Sequence, residues 1–289
     1  MDQPPLDIAA FREFERSGHN RLADTYSKLF VPITRHAIEP LLDAAAVGAR
    51  TRVLDVATGT GVVAAAAATR GAQAVGVDIA PRMLEIAAEL NPELEFREAP
   101  VESLPYADRV FGAVVSNFGL GHFADPERAV AECTRVLASE GKLALSWWDV
   151  PTDNRLQGVF VDALNEAGFI PPPGVPVGPP VFQFSDDDAF AGLLGSARLG
   201  EITVRRFAFT LRLSDAEELW TCAMGSFVRT SAAILGQTAE MRSRIRSAFD
   251  RLVSAHAVVD GIALPVAFKI ASGCKFGEGG GRSSRVARR

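Results

Sequence analysis

The stretch Val53-Leu-Asp-Val-Ala-Thr-Gly-Thr-Gly61, followed by Val75-Gly-Val-Asp78, decides the reading of this 289-residue chain. An apolar run that ends in a glycine turn and opens into a helical pattern over 62–69 reads as strand, tight loop and helix. Gly59 and Gly61 lack the Cβ that would block close approach of a ligand or forbid a positive φ. Backbone N–H groups at the start of the next helix would face that ligand. Asp78 ends a second apolar run over 74–77, where a carboxylate can accept both hydroxyls of a ribose.

Two ligand classes use this layout, and the first carboxylate separates them. Dinucleotide folds carry G-x-G-x-x-G with no acid at the end of the first strand, leaving helix N–H groups to hold an anionic pyrophosphate. Here Asp55 stands just before the loop, and Ala64 occupies the place of the third glycine. A ligand anion beside Asp55 would be repelled, and a ligand ammonium attracted. S-adenosylmethionine, with its amino acid end, sulfonium and ribose, fits that charge pattern.

These residues resemble the class I S-adenosylmethionine-dependent methyltransferases, in the branch with ubiquinone and menaquinone biosynthesis enzymes and many small-molecule methyltransferases. The resemblance covers roughly Tyr26 to Trp148. It rests on the D-x-x-x-G-x-G loop, Asp78, Arg97-Glu-Ala-Pro-Val-Glu-Ser-Leu-Pro105 and Phe111-Gly-Ala-Val-Val-Ser-Asn-Phe118, in that order. It implies that Asp55, Thr58, Gly59 and Gly61 hold the methionine end of the cofactor, with Ala57 in the same loop. It further implies that Asp78 binds the ribose, that Ile79 and Met83 flank the adenine, and that Ala99, Val101 and Glu102 line its edge. Asn117, at the end of the fourth strand, and Tyr26, on the N-terminal helices, complete the expected cofactor contacts. Two positions depart from the family pattern. Ala57 replaces the first loop glycine, a harmless change if φ stays negative there. Pro100 replaces the acidic residue that contacts the adenine amine.

Composition narrows the class. At 48% hydrophobic residues the chain can bury a large core, and a net charge of −5 argues against a phosphate-driven nucleic acid partner. There is no run of eighteen or more apolar residues, so no membrane span is expected. The first residues carry Asp2, Asp7 and Glu13 in place of a basic start with an apolar core, so no secretory leader is expected either. Cys133, Cys222 and Cys274 have no metal spacing and form an odd set, which suits a reducing cytoplasm.

The pattern predicts an α/β fold: a Rossmann-like class I methyltransferase with a mostly parallel central sheet, helices on both faces and a helical lid. Residues 1–50 read as helices over 8–17, 20–30 and 32–46, separated by Gly18, Pro32 and Gly48, and covering the cofactor site. Residues 51–150 form the cofactor-binding core. Residues 151–275 hold the rest of the sheet and a substrate lid, with helices over 156–167 and 186–194, and with strands over 201–213 and 262–270. Two long helices over 214–235 and 238–259 lie between those strands. The proline-rich segment 171–180 is expected to wrap an edge of the substrate cavity, and residues 276–289 to be disordered.

Methyl transfer from a sulfonium is an in-line displacement, so positioning is the main requirement, and a general base is needed only if the acceptor must lose a proton. His122, beyond the fourth strand, is the candidate base, with capping of the helix that starts near Pro126 or stacking beside the cofactor as the bland alternative. His19, His36 and His256 read as surface or packing histidines. Phe118 and Trp148 at strand ends, with Trp220, Met224 and Phe227 on one side of the first lid helix, are the candidate substrate wall. Asp186-Asp-Asp188 precedes a helical pattern and reads as capping, so no metal is expected.

The expected activity is methyl transfer from S-adenosylmethionine to a small, largely apolar acceptor, with O-methylation first and N- or C-methylation as variants. A rival reading is a cyclase or isomerase that retains the cofactor on the same fold. A third, a non-catalytic binding module, is disfavoured by the intact loop and its paired carboxylates. Nothing in the sequence specifies an oligomeric state.

Overall fold

The structure, a computed structural model, describes residues 6–277. Three helices, α1 (Ile8–Leu29), α2 (Val31–Thr34) and α3 (Ile38–Ala44), precede the sheet. Then β1 (Arg52–Val56), α4 (Val62–Thr69), β2 (Gln73–Asp78), α5 (Pro81–Leu90), β3 (Glu95–Glu98), β4 (Phe111–Asn117), α6 (Pro126–Val136) and β5 (Leu137–Trp148) alternate as parallel strands with covering helices. The central strands are buried on both faces, which is why their sequences read as continuous apolar runs rather than alternating ones. After α7 (Arg155–Glu166) and α8 (Asp187–Ser196) come β6 (Leu199–Leu213), three helices α9 (Ala216–Ser226), α10 (Val228–Leu235) and α11 (Ala239–Ser254), a short β7 (Ala257–Val258), and β8 (Gly261–Lys275).

The sheet order is β3-β2-β1-β4-β5-β8-β6, with β8 antiparallel to both β5 and β6. From β1 the chain builds outward to β2 and β3 on one side, then to β4 and β5 on the other. The carboxyl ends of β1 and β4 are therefore the switch point where a Rossmann-like sheet leaves a crevice. No helix among the described residues is long and apolar enough to cross a membrane.

Three local features differ from the sequence reading. Gly18 does not divide the N-terminal segment, because α1 runs unbroken for 22 residues from its Asp7 cap. The glycine serves a crossing instead: a Cβ on Gly18 would lie 2.2 Å from Val228 Cγ1, and one on Gly225 would lie 2.3 Å from Thr25 Cγ2. Small residues on both partners let α1 approach the α9–α10 junction. The helix expected over 214–235 is broken at Phe227, whose φ of −94° and ψ of 92° end α9 and open α10. Of the tail expected to be disordered, residues 278–289 lie outside the described residues, while Gly277 N–H donates to Glu140 Oε1 at 3.0 Å.

The loop after β1 holds the third difference. Ala57 has φ of +54°, beside Gly59 at +55° and Gly61 at +78°. A left-handed alanine costs about 1–2 kcal/mol relative to its preferred regions. It is held there because the next residue, Thr58, donates its N–H to Val77 O at 2.9 Å, which turns the chain back toward β2.

Two unfolding experiments test these features. Ala57→Gly should raise stability by about 0.5–1 kcal/mol in urea titration, since the strain relieved exceeds the added chain entropy; a loss would show that the loop bears no strain there. Gly18→Val should cost about 1–3 kcal/mol by overpacking the crossing, with Val228→Ala recovering part of the loss.

Candidate functional site

Two carboxylates at adjacent strand ends shape the glycine loop. Asp55, the fourth residue of β1, is buried, and its Oδ2 accepts the Thr58 hydroxyl at 2.6 Å and the Ala64 N–H at 3.1 Å. Its Oδ1 is buried with no partner among the described residues. Burial drives its pKa up to about 7, against the opposing pull of those two hydrogen bonds. Asp78, at the end of β2, accepts Gly59 N–H on Oδ2 and Ala80 N–H on Oδ1, both at 2.9 Å. The loop is thus tied at its base by Asp55 and at its crest by Asp78.

The glycines differ in role. A Cβ built on Gly59 would meet nothing within 4 Å, so that residue faces open space, whereas one on Gly61 would lie 2.8 Å from the Phe96 ring. Gly61 is required by packing inside the fold. Asp55, Thr58 and Gly61 brace the loop and do not line the cavity beside it, while Ala57, Gly59 and Asp78 do.

That cavity, about 530 Å³, opens over the carboxyl ends of the strands. On its loop side stand Ile79, Met83, Ala99, Val101 and Glu102, and above them Tyr26 from α1. Burial, then the charge of Asp78, pushes the Tyr26 phenol well above its ordinary pKa, so it is a neutral hydrogen-bonding group. Glu102 is buried and already employed: Oε1 accepts the N–H groups of Ala124 and Asp125 at 3.1 and 3.3 Å, and Arg12 lies 3.5 Å from Oε2. Asn117 is fixed by the Ser146 hydroxyl on Oδ1 at 2.7 Å and by its own Nδ2 donating to Thr34 O at 3.2 Å.

The far side is apolar. Phe118 stacks on Trp148 at 3.8 Å, and its backbone is held at φ of +57° with its N–H donated to Ser146 Oγ at 2.9 Å. Phe227 joins them at the α9–α10 break, and Phe30 lies between Phe227 and Trp148, at 5.1 and 6.0 Å. Pro171, Pro176 and Pro180 of the proline-rich segment line the same wall. That segment is tethered by Trp147 Nε1 donating to Val181 O at 2.6 Å and by Arg229 donating to Pro179 O at 2.8 Å.

Trp220 and Met224 do not line the cavity. Trp220 packs between Phe160 and Phe249 under the Arg246 guanidinium, and Met224 rests on the core. The stripe at i, i+4, i+7 is split because α9 ends after Ser226, and Trp220 joins the packing of α7 and α11. Asp186 accepts the Ala189 N–H at 2.8 Å, and so caps α8 as its position suggested.

His122 lines the cavity and does not cap α6, a role taken by Asp125, which accepts the Arg128 N–H at 3.0 Å. Beside it the structure places His19, read from sequence as a surface or packing histidine, and Glu15, which the sequence reading passed over. His19 lines the same cavity, its ring 4.7 Å from that of His122, and the fully buried Glu15 has Oε2 at 2.9 Å from His122 Nδ1. The usable signal was on α1 itself: Phe11, Glu15 and Gly18 share its buried face, so a carboxylate sits where an apolar residue belongs. Donor atoms of Glu15, His19 and His122 lie within 4.8 Å of one another. His36 stacks on Phe209 and has no part in the cavity.

The site fits an S-adenosyl ligand in three respects. The charge of Asp55 beneath the loop suits an ammonium above it, the open face of Gly59 admits a ligand chain, and Asp78 keeps unused lone pairs for hydroxyl donors.

Comparison with known proteins agrees with this geometry. Residues 54–145 match the family described as Methyltransferase domain. A demethylmenaquinone methyltransferase of Renibacterium salmoninarum is 30% identical over 167 residues, covering 58% of this chain and 69% of that protein. One from Thermus thermophilus is 46% identical over 110 residues, covering 36% of this chain and 50% of its own length. The YcgJ protein of Bacillus subtilis superposes with a TM-score of 0.58 at 21% identity over 84% of this chain and 99% of that one, a likeness of fold. With the switch-point cavity, the two strand-end carboxylates and these relatives together, the chain belongs to the class I S-adenosylmethionine-dependent methyltransferases that resemble quinone-biosynthesis enzymes.

Proposed function

We propose that the chain transfers a methyl group from S-adenosylmethionine to a hydroxyl of a small, largely apolar acceptor, with His122 receiving the hydroxyl proton. The observation that carries this reading is a single continuous cavity, walled by the Gly59–Asp78 loop on one side and by Phe118, Trp148 and Phe227 on the other, with His122 on its rim. The cofactor, when bound, supplies an electrophilic methyl on a sulfonium. Asp78 would take the ribose hydroxyls, Met83 and Ile79 the adenine faces, and Tyr26 the amino acid end, with Asp55 acting on its ammonium by charge from beneath the loop. The aromatic and proline wall would hold a flat apolar acceptor and exclude water. Relatives named for demethylmenaquinone support a small-molecule acceptor of this character.

Cofactor binding is read by calorimetry with S-adenosylhomocysteine. Asp78→Ala should weaken it about 10²-fold, since two hydrogen bonds to a carboxylate are lost; unchanged affinity would remove Asp78 from the ribose site.

The buried Asp55 adds a pH signature. Its pKa near 7 means that the free site carries a proton there at low pH, and a ligand ammonium favours the ionised form, so binding releases that proton. Affinity should therefore rise with pH and level off above 7, being about tenfold weaker at pH 5.5 than at pH 7.5. Asp55→Asn should flatten this dependence, and a flat wild-type profile would separate Asp55 from the ammonium.

Turnover is read by transfer of a labelled methyl to a panel of phenols, alcohols and a naphthohydroquinone. His122→Gln should lower transfer to hydroxyl oxygen about 10²-fold with the S-adenosylhomocysteine affinity unchanged. Label found only on carbon or nitrogen would contradict O-methylation.

A further inference from the structure

We propose that Glu15 is the positioning residue of a proton-accepting dyad: its carboxylate holds His122 with hydrogen on Nδ1, leaving the Nε2 lone pair to take a proton from an acceptor O–H in the cavity. The inference deepens the O-methylation reading and rests on it.

Glu15 is the anomaly that prompts it. A buried ionised carboxylate costs several kcal/mol unless paired. The buried face of α1 could be filled with an apolar residue, as Phe11 fills it one turn earlier. Yet Glu15 is fully buried behind the cavity-lining His19 and His122, with Oε1 unpartnered among the described residues and Oε2 2.9 Å from His122 Nδ1. The carboxylate is therefore directed at His122.

The tautomer follows from the acceptor's chemistry. Burial acts to raise the Glu15 pKa, but the contact with His122 and, more weakly, the charge of Arg229 act the other way and bring it below its ordinary value, so Glu15 is a carboxylate. A carboxylate only accepts, and so the hydrogen of the 2.9 Å contact belongs to His122 Nδ1. Nε2 forms no hydrogen bond among the described residues, and the His122 side chain keeps 33% of its surface exposed at the cavity. The Nδ1–H···Oε2 bond occupies the line that a cation shared by these donors would need.

The charged and titratable neighbours of the dyad are His19, whose Nδ1 lies 3.5 Å from Glu15 Oε2, Arg229 and Asp78. His19 places Nδ1 2.9 Å from the Glu15 backbone carbonyl, which also only accepts, and burial followed by proximity to His122 lowers its pKa, so it stays neutral. Arg229 from α10 acts on Glu15, Asp78 at the end of β2 acts on His19, and Trp147 of β5 presents its ring 6.0 Å from His122. In the step itself the acceptor O–H bond breaks, its electron pair stays on oxygen, and the proton bonds to Nε2. The imidazolium keeps its Nδ1–H on Glu15, whose charge stabilises it, and later returns the added proton to solvent. This is the orienting logic of a carboxylate behind a histidine base.

The test is long-range ¹H–¹⁵N NMR of histidine-labelled full-length protein near pH 8, with His19→Gln and His122→Gln for assignment. The expected wild-type result is His122 with hydrogen on Nδ1 and a free Nε2. Glu15→Met fills the space without the charge, and should preserve folding and S-adenosylhomocysteine affinity within about twofold. It should also return His122 to a mixture of tautomers and lower labelled-methyl transfer to hydroxyl oxygen about 10²-fold. Hydrogen on Nε2 in the wild type, or a tautomer unchanged in Glu15→Met, would overturn the dyad. Failure of the wild type to bind S-adenosylhomocysteine would strike the cofactor reading instead, with the tautomer still deciding the dyad.

Discussion

The glycine loop after β1 is suspended between two carboxylates on neighbouring strands, and the site depends on that suspension. Asp55 draws Thr58 and the start of α4 down onto the strand end, while Asp78 draws Gly59 toward β2 and Ala80 into the start of α5. Four hydrogen bonds to two carboxyl groups order a loop that carries three residues at positive φ. They act together with the Thr58 N–H bond to Val77 O that holds Ala57 left-handed. The same carboxylates set the electrostatics: one crest carboxylate with lone pairs to spare, and one base carboxylate that burial keeps close to neutral.

The second constraint is the position of α1. Arg82 at the start of α5 donates its N–H to Asn20 Oδ1 at 2.9 Å and pairs with Asp24 at 2.9 Å, and Gly18 lets the helix settle against Val228. These contacts bring Glu15, His19 and Tyr26 over the strand ends on one rigid helix. The exposed ion pairs contribute little energy individually, so the crossing at Gly18 and the buried face of α1 fix the placement. A helix that appears from sequence to be a cover therefore also brings chemistry to the rim of the cavity.

Local features were legible in the sequence and distant ones were not. The D-x-x-x-G-x-G loop, Asp78 and the alternation of strands and helices are local, and each carries its own physical signature. Gly18 read as a break because its reason, Val228, lies far along the chain. Glu15 and His122 are 107 residues apart, and no pattern on either segment names the other. Trp220 and Met224 were misplaced because a helical stripe fixes which residues share a face, not where the helix ends, and α9 ends just before Phe227. The sign of φ at Ala57 was likewise decided by a hydrogen bond to the next strand.

Under the proposed function, one cavity holds the nucleoside at the Asp78 crest and the reacting sulfur toward His122. A crystal structure with S-adenosylhomocysteine tests this most directly. The expected result is both ribose hydroxyls on Asp78, the adenine between Ile79 and Met83, and the sulfur facing the space between His122 and Phe118. A nucleoside seated elsewhere, or a sulfur turned away from that space, would contradict it.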